Sequence, residues 1–170
     1  AMAVKDGAVV ALGTTRQILD NYRSDDLVDA AGNAVFPGFI DGHCHYYGYS
    51  KNLYQYIELN GTGSFEEVLE RLRDAPERPT GNWILGRGWD QNDWPGRSYP
   101  DNALLDELFP DHPVMLIRID GHAVLANSRA LELAGISADR KIEGGEIIVR
   151  EGRMTGVLID NAAELAATGR

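Results

Sequence analysis

The chain has 170 residues, 44% of them hydrophobic and 25% charged, with a formal net charge of −10, which suits one well-buried globular domain, or one domain with part of another. The acidic balance, without a basic cluster, argues against nucleic acid and anionic membrane partners, and no apolar run approaches the roughly 18 residues of a membrane span. One cysteine cannot close an internal disulfide, and the N-terminus lacks the basic-then-apolar order of a signal peptide, so the expected location is the cytoplasm.

Ala3 to Gly13 reads as two short strands joined at Asp6-Gly7, a dipeptide favoured in tight hairpins. Thr14 is placed to cap a short helix whose Ile18, Leu19 and Tyr22 share a face. Leu27–Asp29 and Ala34–Phe36 read as a third and fourth strand about a turn at Ala31-Gly32-Asn33. Phe39–Asp41 is expected to be a buried strand running out into His43 and His45. On an extended chain alternate side chains share a face, so the two imidazoles would face one way and Cys44, expected in the core, the other. Two imidazoles on one side of a strand end suit zinc or a similar divalent ion. Two solvated or hydrogen-bonded histidines would leave the same sequence trace.

The tyrosine-rich stretch Tyr46–Tyr56 admits two readings, a pocket wall or an amphipathic segment packing its aromatic faces, and the second is the simpler. Ile57–Leu59 is strand-like. Ser64 and Glu67 form a capping box, and Phe65, Val68, Leu69 and Leu72 make one apolar helical stripe, closed by Pro76 and Pro79. Trp83–Gly86 is a buried strand leading into the loop Arg87–Gly96, which reads equally as a pocket wall or a large structured turn. Asn102–Phe109 is a short helix with Leu104, Leu105 and Leu108 inward.

Val114–Ile119 is a central strand, and Ala123–Ala126 its returning partner. Asn127 or Ser128 caps a helix that stops at Gly135. Glu146–Val149 and Met154–Ile159 form a hairpin across Glu151-Gly152, and a last helix runs from Asp160 to Ala167. Strands and helices mix without strict alternation from Asn60 onward, the pattern of an α+β unit.

Three groups besides His43 and His45 are candidates for chemistry. Asp41 stands two residues before His43, where a carboxylate can hydrogen-bond a ligand; its plain alternative is a polar strand end. Asp160 stands at a strand–helix junction, where an N-cap is the simpler role. His122 follows a strand in a Gly-His turn, and a histidine bonded to the backbone would read the same. His112, between Asp111 and Pro113, reads as surface.

Pro37-Gly38-Phe39-Ile40-Asp41 followed by His43 and His45 resembles the end of the first barrel strand in the amidohydrolase superfamily of metal-dependent hydrolases. Gly86–Gln91, Asp120–Ser128 and Thr155–Leu158 resemble its YtcJ-like branch, amidohydrolase family 3. The resemblance implies a (β/α)8 barrel, which takes about 250 residues, so the barrel is not complete in this chain. It implies an overall α+β organisation: residues 1–38 as a partial β-sandwich with open edges, 39–59 as the first barrel strand and following segment, and 60–170 as a mixed α+β insertion domain over the barrel mouth. His43, His45 and, as a bridging ligand, Asp160 would then hold a divalent metal, zinc above others, with Asp41 behind them. Trp89, Asp90 and His122 would line the substrate pocket.

The implied activity is hydrolysis of non-peptide carbon–nitrogen bonds in a small amide-type substrate by a metal-activated water, with no catalytic residue assigned within this chain. The competing reading is a catalytically inert folded unit, and open strand edges predict self-association in either case. A cupin-type oxygenase also uses His-x-His but places a glutamate shortly after it, and residues 46–50 contain none.

Overall fold

The computed structural model describes residues 1–76 and 80–169, and the chain divides after His43 into two compact units. In the first, β1 (Met2–Lys5) and β2 (Ala8–Leu12) form an antiparallel hairpin. Asp6 and Gly7 both take positive φ, 52° and 78°, the geometry that lets a two-residue turn follow the strand twist. Helix α1 (Thr15–Asn21) starts from a complete capping box: the Thr14 hydroxyl accepts from the Gln17 amide, and the Gln17 side chain accepts from the Thr14 amide.

The expected third and fourth strands and the barrel strand do not form. Residues 22–45 contain no strand, and Val28, Phe36, Phe39 and Ile40 are exposed, the last two at 89% and 96%. A strand exists only when a neighbour takes up its N–H and C=O groups, and none of these segments has a strand beside it in the described chain. The expected partial sandwich is therefore a single hairpin. Cys44 is exposed, contrary to its expected burial, because no sheet face forms beneath it.

The second unit opens with α2 (Tyr46–Gln55), with no fully buried residue and with Tyr46, Tyr47, Tyr49 and Tyr54 exposed. Its core is a six-stranded sheet in the order β3-β4-β5-β6-β8-β7, from β3 (Ile57–Glu58), β4 (Ile84–Trp89), β5 (Val114–Arg118), β6 (Ala123–Ala126), β7 (Gly145–Arg150) and β8 (Arg153–Asp160). The pairs β3–β4 and β4–β5 are parallel; the others are antiparallel. No closed barrel forms among the described residues, and none of their helices is long and apolar enough to cross a membrane.

Alternation along the central strands splits the core into two layers. Trp89, Val114, Leu116, Leu125 and Val157 face the layer with Val68, Leu69 and Leu72 of α3 (Phe65–Asp74) and Leu105 of α4 (Ala103–Leu108). Leu85, Met115, Val124, Ala126 and Leu158 face the layer with Ala130 and Leu131 of α5 (Ser128–Leu133) and the alanines of α6 (Asn161–Ala166). With both faces covered, the central strands carry continuous apolar runs.

Helix α3 begins at Ser64, whose hydroxyl accepts from the Glu67 amide, but Glu67 answers to Gly63 N–H, one residue further out than the usual box, at 2.8 Å. Leu104, expected inward, lies on the exposed side of α4. Pro79 lies outside the described residues. Asn127, and not Ser128, caps α5.

Candidate functional site

Strand direction gathers the polar candidates of the second unit on one rim of the sheet. β4 and β5 run parallel and end there, β6 starts there because it returns from β5, and β8 ends there because it opposes β6. Asp90 follows β4, Asp120 and His122 lie between β5 and β6, and Asp160 closes β8.

Arg118, at the end of β5, holds this rim. Its guanidinium donates from Nη2 to Asp90 Oδ1 at 2.7 Å, from Nε to Gln91 Oε1 at 2.9 Å, and from Nη1 to Asp120 Oδ2. Its side chain is only 12% exposed. Partial burial pulls its pKa down, but Asp120 and Asp90 outweigh this and raise it. An arginine so committed has few donors left for an anionic ligand. Sequence reasoning passed over it, yet the signal was present: one charge in the apolar run Val114–Ile119 demands a buried partner.

His122 is held from three directions. Its amide donates to Asp120 Oδ1 at 3.0 Å, its carbonyl accepts from Asp160 N–H at 2.8 Å, and its Nδ1 lies 2.9 Å from Asp160 Oδ1. The two side chains remain 74% and 51% exposed. Asp160 stands at the N-cap position of α6 but makes no capping bond with its side chain; the carboxylate goes to His122 instead. Its backbone sits at φ 49°, ψ −122°, a region left mostly to glycine. Such a conformation costs about 1–3 kcal/mol, whereas the exposed His122 contact, an ion pair only with the ring protonated, returns about 0–1 kcal/mol even then. The pairing does not repay its strain in stability.

The other candidates are placed differently. Trp89 is 1% exposed, packs against Trp94 and Tyr99, and donates its indole N–H to the Leu116 carbonyl at 2.9 Å. It supports the rim from within the core. Asp41 Oδ1 accepts from the His43 backbone amide at 2.9 Å, closing a local turn; its expected place behind a ligand ring is not what this bond shows. His43 ends the first unit, and His45 is the N-cap of α2 with φ −94° and ψ 37°. Because this stretch bends and is not extended, strand alternation no longer assigns the two rings to one face. His112 is exposed, as expected.

Imidazole suits zinc and related divalent ions, so the donor type at His43 and His45 fits a metal. The donor number does not: among the described residues no group of three or more His, Cys, Asp or Glu side chains could hold an ion. The residues present fit a contribution to a metal site, not a whole one.

The chain is similar to several known proteins. A sequence profile described as the amidohydrolase family matches residues 26–169. YtcJ of Bacillus subtilis is 34% identical over 97% of this chain, and N-substituted formamide deformylase of Arthrobacter pascens is 32% identical over the same share. The chain spans about a third of their length, 32% and 31%. An uncharacterized metal-dependent hydrolase from Pyrococcus furiosus superimposes with a TM-score of 0.53 at 28% identity, over 78% of this chain and 24% of that one. One from Pyrococcus horikoshii OT3 shares the fold, with a TM-score of 0.54 at 23% identity, over 99% of this chain and 32% of that one.

Proposed function

Because this chain belongs to the amidohydrolase family, we propose that it is the part of a metal-dependent hydrolase that contributes His43 and His45 to the metal centre and the Asp90–Arg118–Asp120–His122–Asp160 rim to the substrate side. The bond cleaved is a non-peptide carbon–nitrogen bond of a small amide-type substrate. The name of the Arthrobacter pascens relative supports that substrate class, and the metal-dependent hydrolase from Pyrococcus furiosus supports a divalent ion. When bound, such an ion polarises a carbonyl and lowers the pKa of water towards about 7. Zinc is the ion that two imidazoles favour.

The observation that carries this reading is the rim. Four strand ends bring acceptor groups together beyond the sheet, the side on which open sheets commonly bind ligands. Arg118 holds Asp90 and Asp120 in place, Asp120 fixes the His122 main chain, and Asp160 fixes its ring. A second reading, a folded unit inert by itself, is favoured by the lack of a three-donor group among the described residues.

Zinc titration of this chain, with an N-substituted formamide hydrolysis assay beside it, tests both. We expect weak zinc binding that His43→Ala and His45→Ala each reduce, with no turnover. Binding unchanged in both variants would refute the ligand assignment, and turnover by the 170-residue chain would refute the contributory reading.

A further inference from the structure

We infer that Asp160 is a positioning residue for His122: it fixes the imidazole as the Nδ1–H tautomer, so that the Nε2 lone pair becomes the rim's acceptor for a substrate N–H. The amide-type substrate in this statement rests on the function proposed above; the tautomer does not.

The chemistry follows from one distance. An ionised carboxylate only accepts hydrogen bonds, so the 2.9 Å approach of Asp160 Oδ1 requires the proton on His122 Nδ1. A neutral ring then has an unprotonated Nε2, and which nitrogen carries the proton is set by the partner of the other. The rest of the rim keeps the ring where it is. Asp160 bonds His122 twice, through its own amide to the carbonyl and through its carboxylate to the ring. Asp120 anchors the His122 amide, and Arg118 anchors Asp120.

Stability does not explain this arrangement. The Asp160 backbone is strained, its side chain forgoes the helix cap, and the hydrogen bond it makes to His122 instead is exposed. Strain maintained without a matching gain is a mark of a functional position. Charge then limits what the acceptor meets. The groups near His122 are Asp120, Asp160, Arg118 and Arg87, whose guanidinium lies 3.6 Å from the Cβ position of Gly121. Arg118 is bonded to Asp90, Gln91 and Asp120. The His122–Asp160 pair thus offers acceptors, which an amide or amine N–H can meet, while the Arg87 guanidinium beside Gly121 is the donor nearest to it.

Ring nitrogen NMR on the 170-residue chain, labelled at histidine and held near pH 8.5, about two units above the ordinary imidazole pKa of about 6.5, reads the tautomer without zinc or turnover. His122→Asn identifies the His122 signals by their loss. The expected result is Nδ1–H in the wild type and in Asp160→Asn, whose carboxamide oxygen still accepts, and loss of that preference in Asp160→Gly. Glycine accepts the positive φ, so Asp160→Gly should melt no lower than the wild type. An Nε2–H ring in the wild type, or an unchanged ring in Asp160→Gly, would overturn the inference. So would a large fall in the melting temperature of Asp160→Gly, which would make Asp160 a structural residue. A failure of zinc to bind His43 and His45 would leave every one of these readings unaffected.

Discussion

Asn127→Ala is the substitution whose cost the structure specifies most fully. Asn127 is completely buried, and its side-chain amide has four partners. Oδ1 accepts from Ala130 N–H at 3.0 Å and Val114 N–H at 2.9 Å; Nδ2 donates to the carbonyls of Phe109 at 3.2 Å and His112 at 2.9 Å. One side chain thus caps α5, opens β5 and ties down the end of α4. Losing an N-cap costs about 1 kcal/mol, and each buried polar group left without a partner about 1–3 kcal/mol. Some orphaned groups will find water, so the expected loss is about 3–5 kcal/mol, a large fraction of the roughly 5–15 kcal/mol that holds a domain together. In urea, with a slope of about 2 kcal/mol/M, the midpoint should fall by about 1.5–2.5 M at unchanged slope. A shift below about 0.5 M would mean that the four bonds are worth little more than their water replacements, and the argument from burial would fail.

Gly156 has φ +86°, and a Cβ there would stand 2.3 Å from the Ala126 carbonyl oxygen; Gly156→Ala should therefore leave little folded protein, checked by far-UV circular dichroism after purification. Glu67 has its pKa lowered by the Gly63 amide and then by Arg71. A depressed carboxylate pKa contributes stability above the unfolded value of about 4.3 and loses it as pH falls through the folded value. Acidification should thus release the start of α3, and Glu67→Gln should flatten the dependence of amide exchange at Gly63 on pH below about 4.5. The exposed apolar residues Val28, Phe39, Ile40 and Tyr47 predict self-association; light scattering coupled to size exclusion should show species above the 18.7 kDa monomer, and a clean monomer at high concentration would refute it.

What the sequence revealed of this fold was chiefly local. Thr14, Ser64 and Asn127 announce their helices because a cap and its partner amide lie within three residues of each other. Asp6-Gly7 and Glu151-Gly152 announce their hairpins because the turn conformation depends on those residues alone. The stretch from Leu27 to His45 misled for the converse reason: its apolar residues are strand-like, but a strand is a property of a pair. The loop around Trp89 read equally as a pocket wall or a structured turn, because the partner of its indole N–H, the Leu116 carbonyl, lies 27 residues further on. At the site, His122 and Asp160 were each visible as residues in polar turns, but their pairing spans 38 positions and depends on how β6 opposes β8. Arg118 was legible only as an anomaly, one charge where apolar side chains were required.

The order of strands in the sheet separates two kinds of change open to descendants of this chain. Substitutions in the two packed layers alter whether the unit folds, because each layer closes on helices that the other strands also need. Replacements in the rim loops meet solvent on one side and a single anchoring guanidinium on the other. Change can thus accumulate in a few turn residues of the rim while the scaffold beneath stays as it is, so long as Arg118 persists.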